Sequence, residues 1–218
     1  MDAMEMAACA AAACLALASP AWAGTYVVLV DASSSVGAEE RAAYRESVEG
    51  VVRAVRPGDR LVVAALGGKE RASWVRDFDA EAPAPTGRRF ADGKRRKEFE
   101  EGALAALGGI LGRAEKSPDK ATRIVDAVEA SSQAFSQSPD SGKTLVVLSD
   151  MLETGRFDLA SGRKKDLAAP AALAGAKVYV AGAGGKDYAA VEAFWTRYFS
   201  SAPGAAVVQY GRYPVRIR

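Results

Sequence analysis

The residues best placed to do chemistry in this chain are Asp31, Ser33 and Ser35, which follow directly on the apolar run Tyr26, Val27, Val28, Leu29 and Val30. A run without polar alternation suits a strand buried on both faces, so a carboxylate and two hydroxyls stand at the end of a rigid support. Oxygen donors gathered this closely fit a hard cation. Mg²⁺ takes oxygen ligands in near-octahedral geometry and keeps several waters. An Asp-x-Ser-x-Ser turn supplies about half of such a shell and leaves room for other loops and for a ligand brought by a partner. A purely local use of the same hydroxyls is also open to the sequence, namely capping the helix that follows.

What the chain lacks narrows the chemistry further. It has no His, and its two cysteines, Cys9 and Cys14, both lie in the first 23 residues. Ser-His-Asp catalysis and the usual zinc sites are therefore excluded, and without the first segment so are Cys nucleophiles and disulfides. That segment has its own logic. Met6 to Ala18 is apolar and Ala-rich, and Pro20 and Ala21-Trp22-Ala23 precede Gly24 in the manner of a cleavage site. Residues 1–23 are expected to be a secretory signal peptide, with an n-region that carries Asp2 and Glu5 and no Lys or Arg, which places the rest in a periplasmic or secreted setting and in a bacterial one. The stretch is too short for a membrane span, and Ala11-Ala12-Ala13-Cys14 lacks the strong apolar residue that a lipid-attachment site would carry three before the cysteine.

The remaining residues, 24–218, are enough for one domain, and 49% hydrophobic with 26% charged residues is a globular composition. The net charge of +2, two units higher without Asp2 and Glu5, is too mild to imply nucleic acid.

The supporting elements are legible in order. Tyr44, Val48, Val51, Val52 and Val55 recur at helical spacing, with Glu39 and Glu40 at the start and Arg53 and Arg56 at the end, before Pro57-Gly58. Leu61 to Leu66 is a second buried strand, and Ala72 to Phe78 reads as a short, charged, antiparallel edge strand containing Trp74. Residues 79–97, with Pro83, Pro85, Gly87, Gly93 and a basic cluster from Arg88 to Lys97, read as a loop. A helix from Lys97 to Lys116 and another from about Ala121-Thr122 to Phe135 follow. Leu145 to Leu148 is a fourth strand, which delivers Asp150 as the first strand delivers Asp31. After a polar connection and a short Ala-rich helical piece come a strand at Lys177 to Ala181, a helix through Tyr188, Val191, Trp195 and Phe199, and a strand at Ala205 to Tyr210. This order predicts an α/β, doubly wound, mostly parallel six-stranded sheet with one antiparallel edge strand and helices on both faces, a Rossmann-like layout. Two nucleotide-like motifs fail on context: Gly142-Lys143-Thr144 precedes a strand, and Gly182-Ala183-Gly184 meets Asp187 where a third glycine belongs.

Asp-x-Ser-x-Ser after the first strand, Thr122 opening a helix two elements later and Asp150 ending the next strand together resemble the von Willebrand factor type A (vWA) family and its metal-ion-dependent adhesion site, MIDAS. The resemblance runs over about residues 24 to 210. It implies that Asp31, Ser33, Ser35, Thr122 and Asp150 hold a divalent cation, Mg²⁺ or else Mn²⁺ or Ca²⁺, directly or through water. It also implies a partner protein that supplies an acidic side chain to the metal, and no catalysis. Two departures stand out: Met151 follows Asp150 where the family usually has Gly, and Lys120-Ala121 replaces a Gly-rich approach to the Thr. Two other functions fit the same sheet: a Mg²⁺-dependent phosphoryl-transfer enzyme of haloacid-dehalogenase-like type with Asp31 as nucleophile, in which Ser33 stands where a second carboxylate is wanted, or a scaffold domain with a vestigial metal site.

Overall fold

The structure, a computed structural model, describes residues 24–33, 36–66, 76–116, 122–136, 138, 142–153, 167–184 and 187–217. The expected signal segment, Ser35, the stretch around Trp74 and most of the connection after Asp150 lie outside these residues.

Six strands form one sheet: β1 (Thr25–Asp31), β2 (Arg60–Leu66), β3 (Arg76–Glu81), β4 (Lys143–Leu148), β5 (Lys177–Ala181) and β6 (Ala206–Gly211). Their order is β3-β2-β1-β4-β5-β6, and every pairing is parallel except β2 with β3. The unalternated Val and Leu runs end up in the middle because they are dry on both sides: Val27 to Asp31 and Leu145 to Leu148 are fully buried. Alternate residues of β1 then serve two cores. Val28 and Val30 pack with helices α1 (Ala38–Ala54) and α2 (Arg89–Lys116), whereas Val27 and Leu29 pack with α3 (Ile124–Ser132) and α4 (Tyr188–Ser200). The doubly wound sheet expected from the sequence is the one observed. No described helix is long and apolar enough to cross a membrane.

Two boundaries depart from the sequence reading. The antiparallel edge strand, expected over Ala72 to Phe78, continues to Glu81, because Arg60 on β2 grips Asp79 through two hydrogen bonds of 2.7 and 2.8 Å and fixes that register; residues 72–75 lie outside the described ones. Residues 89–97 are also helical rather than a loop. Their cations have acids one turn on: Lys94 meets Glu98, Arg96 meets Glu100 and Lys97 meets Glu101. Arg96 additionally donates to the carbonyls of Val52 and Val55, capping the negative end of α1 with a positive charge. The Ala-rich piece before β5 is a short 3₁₀ turn, Ala171–Leu173. Lys143 is a buried β4 residue whose ammonium donates to the Ala174 carbonyl at 3.2 Å, as its exclusion from a phosphate loop required.

The winding reverses between β1 and β4, so the crevice at the carboxyl ends of these two neighbours is where a doubly wound sheet gathers ligands. Asp31 and Asp150 both lie there. Beyond β6 the chain turns back, and the Val215 N–H donates to the Ser47 hydroxyl of α1 at 3.0 Å.

Candidate metal centre

Asp31 is the last residue of β1, in register with Leu66 on β2, and it is fully buried. Burial without partners would be costly for a carboxylate, so the chain surrounds it with donors. The Ser33 N–H donates to one oxygen at 2.8 Å, an Asx-type turn that bends the backbone away from the strand. The Ser149 hydroxyl donates to the other oxygen at 2.8 Å. The hydroxyls of Ser33 and Thr122 add further hydrogen bonds. Burial pushes the Asp31 carboxyl above its ordinary value, and these four bonds pull against it.

Asp150, two residues past β4, is half-buried on the adjacent loop, where its oxygen accepts the Leu152 N–H at 3.0 Å. Its carboxyl is also raised, first by burial and then by the charges of Asp31 and Glu40. Ser149 lies between the two aspartates: it donates to Asp31, lies within hydrogen-bonding reach of Asp150, and accepts the Met151 N–H at 3.0 Å. In the sequence Ser149 carries no signal of its own beyond its place as the last residue before Asp150.

The loop is held from two sides. Met151 is the sole described non-glycine residue with positive φ, at 64°, a left-handed conformation that costs a side chain about 1–2 kcal/mol. It persists because the Met151 side chain is fully buried and its carbonyl accepts the Trp195 indole N–H of α4 at 2.9 Å. Two residues on, the buried Glu153 accepts the Val125 N–H at 3.0 Å, tying the loop of Asp150 to the start of α3 and hence to Thr122. Glu153 was invisible as a site support in the sequence, because nothing local says that a carboxylate will cap a helix 28 residues away.

The hydroxyls are not helix caps. The residue before α1 is Gly37, the residue before α3 is Arg123, and neither residue makes a side-chain capping bond of its own. Ser33 and Thr122 turn to Asp31 instead. Asp31, Ser33, Thr122 and Asp150 are thus assembled on three separate loops, while Ser35 lies outside the described residues.

The donor set fits a hard cation. It consists of oxygens alone, it places Asp150 within the field of the Asp31 charge, and its hydroxyls can offer lone pairs to a metal while their protons go to Asp31. The described residues contain no group of three or more His, Cys, Asp or Glu that could hold an ion, so two carboxylates and neutral oxygens would carry it. Tyr44 of α1 is a further neighbour. It is 1% exposed, and burial together with the charges of Asp31, Asp150 and Glu40 pushes its phenol well above the ordinary range.

No family model matches the chain, and no curated protein does. Among solved structures it is similar to the SpRpn10 VWA domain, at 11% identity and a TM-score of 0.47 over 89% of this chain and 91% of that one. It is also similar to a von Willebrand factor type A protein from Catenulispora acidiphila, at 15% identity and 0.40, and to proximal thread matrix protein 1 of the mussel byssus with a zinc-occupied MIDAS motif, at 13% and 0.46. The chain spans 33% and 44% of the length of those two proteins. At these values the likeness is a coarse one and says nothing of the site.

Proposed function

We propose that this chain is an exported, non-catalytic protein-binding domain of the vWA kind, which engages its partner through a divalent cation held by Asp31, Ser33, Ser35, Thr122 and Asp150. The observation that carries this reading is the convergence of Ser33, Thr122 and Ser149 on the Asp31 carboxylate, with Asp150 beside it, at the reversal point of the sheet. A bound Mg²⁺, Mn²⁺ or Ca²⁺ would supply concentrated positive charge and a coordination position for an acidic side chain of the partner. Everything else is done by the chain. Asp31 orders the hydroxyls, Ser149 spaces the two aspartates, and the Glu153 bond keeps Thr122 in step with Asp150. Residues 1–23 would direct the domain to the periplasm or outside and be removed.

The phosphoryl-transfer reading gains no support from the geometry. Asp31 is fully buried with both oxygens already accepting hydrogen bonds, which is a poor state for a nucleophile.

Isothermal titration of the protein with Mg²⁺ and Mn²⁺ tests the reading. We expect saturable binding by the intact chain, and an affinity loss of about 100-fold or more in Asp31→Ala and Asp150→Ala, since even outer partners of a metal site are worth 10–100-fold. Equal binding by all three proteins would sink it.

A further inference from the structure

Beside Asp150 opens a cavity of about 450 Å³, within the range of about 300–1,000 Å³ in which proteins enclose ligand groups. The start of α1 lines it with Glu39, Glu40 and Ala43, the loops after β4 and β5 with Asp150, Gly182 and Gly184, and the stretch just past β6 with Arg212, Tyr213 and Pro214. The lining carries both signs of charge, and none of Glu39, Glu40 and Arg212 is in an ion pair among the described residues. The stretch past β6 is fastened in place. The Gln209 side chain donates to the Pro214 carbonyl at 3.0 Å and accepts the Arg216 N–H at 3.0 Å, and Val215 is fastened to Ser47.

Behind the lining, Tyr44 of α1 is 99% buried and packs against Gly182, where a built Cβ would come within 2.9 Å of its hydroxyl, so the hollow at that point depends on a glycine. Tyr213, 74% exposed at the rim, offers an aromatic face to a cation.

We propose that this cavity receives two oppositely charged side chains of a protein partner, a basic one against Glu39 and Glu40 and an acidic one toward Arg212. Three carboxylates without a counter-charge would suit a lone cation; Arg212 makes a charge pair the better complement, because either charge alone meets a like charge in the wall. The position is a surface hollow at the same end of the sheet as the candidate metal centre, so a chain segment can lie across both. The proposal rests on the preceding reading only in taking a protein as the docking species. Glu39, Glu40, Arg212 and Tyr44 do not belong to the ligand set proposed there.

The test uses the ¹⁵N-labelled full chain, titrated with acetyl-Lys-Asp-amide, acetyl-Ala-Asp-amide, acetyl-Lys-Ala-amide and free lysine. Amide shifts of Gly182, Gly184 and Arg212 are followed, first in excess chelator and then with Mg²⁺. The doubly charged dipeptide is expected to bind about tenfold more tightly than either singly charged one. E39Q/E40Q should reduce it to the level of acetyl-Ala-Asp-amide, and R212Q to that of acetyl-Lys-Ala-amide. These side chains are exposed, so unchanged melting temperatures will certify that the variants fold. Equal affinity for the three dipeptides, or no effect of E39Q/E40Q, overturns the proposal, as does free lysine binding as tightly as the blocked pair, which would make the cavity a small-molecule site. Dipeptide binding in chelator by a protein that fails to bind Mn²⁺ would remove the metal reading and leave this one standing; the reverse result would do the opposite.

Discussion

Two buried aspartates sit at opposite ends of the same sheet, and their partners differ in kind. At the amino end, Asp59 is 6% exposed and accepts the backbone N–H groups of Gly24 at 2.6 Å and Arg56 at 2.7 Å, closing the turn from α1 into β2. At the carboxyl end, Asp31 is held chiefly by the hydroxyls of Ser33, Thr122 and Ser149. An amide can only donate, so Asp59 is a finished structural bond. A hydroxyl that donates to Asp31 still has lone pairs to offer a cation. The difference separates a carboxylate that locks a turn from one that organises a site.

That contrast can be broken most sharply by removing each carboxylate. Asp59→Ala leaves two part-buried amides without their charged acceptor and should cost about 2 kcal/mol in a denaturant melt. Asp31→Asn should have the opposite sign, raising stability by about 1 kcal/mol in chelator, because a buried charge is removed while an acceptor remains. A loss of similar size in both variants would mean that Asp31 is as structural as Asp59.

Met151→Gly sharpens the comparison on the site side. Glycine relieves about 1–2 kcal/mol of left-handed backbone cost, but deleting a fully buried Met side chain removes about 2–5 kcal/mol of packing, so the melt should show a net loss of about 2 kcal/mol. A stabilised variant would show that backbone strain, not packing, sets the energy of the Asp150 loop. Ser149→Ala should lower Mn²⁺ affinity about tenfold by calorimetry, as expected of a residue that orients ligands without being one. Unchanged affinity would leave Ser149 as packing only.

The smallest effect is that of pH. Asp31 and Asp150 both hold their protons more firmly in the folded chain than free carboxyls do. In the window between the ordinary carboxylate value and their raised ones, the folded state binds more protons than the unfolded, so stability in chelator should fall as pH rises through it. Metal affinity should run the other way, weakening as pH drops into the same window, because protons compete for the ligands. Parallel trends in the two measurements would contradict the assignment.

Much of this was legible in the sequence because buried parallel strands leave uninterrupted apolar runs. β1, β2, β4 and β5 could be read that way, and with them Asp31 and Asp150. The start of α2 was not: Gly87 and Gly93 and a run of cations look like a loop until the acids four residues on and the α1 carbonyls held by Arg96 are counted. The edge strand β3 runs three residues past its expected end at Phe78 because its register is set by Asp79 and Arg60, a contact between strands rather than a local pattern. At the site, Thr122 could be suspected from its place before a helix. Ser149, Glu153 and Tyr44 could not be given roles, since each acts on a residue distant in the chain.

The bond between Ser149 and Asp31 joins residues 118 apart, and that between Val215 and Ser47 joins residues 168 apart. Closing such separations is slow relative to forming local contacts, because chain entropy is spent before the contact repays it. β1 and its turn emerge early in synthesis, but Asp31 receives its Ser149 partner only once β4 has been made and seated beside it. A half-made chain therefore carries an aspartate with Ser33 but without the hydroxyls of Thr122 and Ser149, and competence at the site arrives together with completion of the sheet.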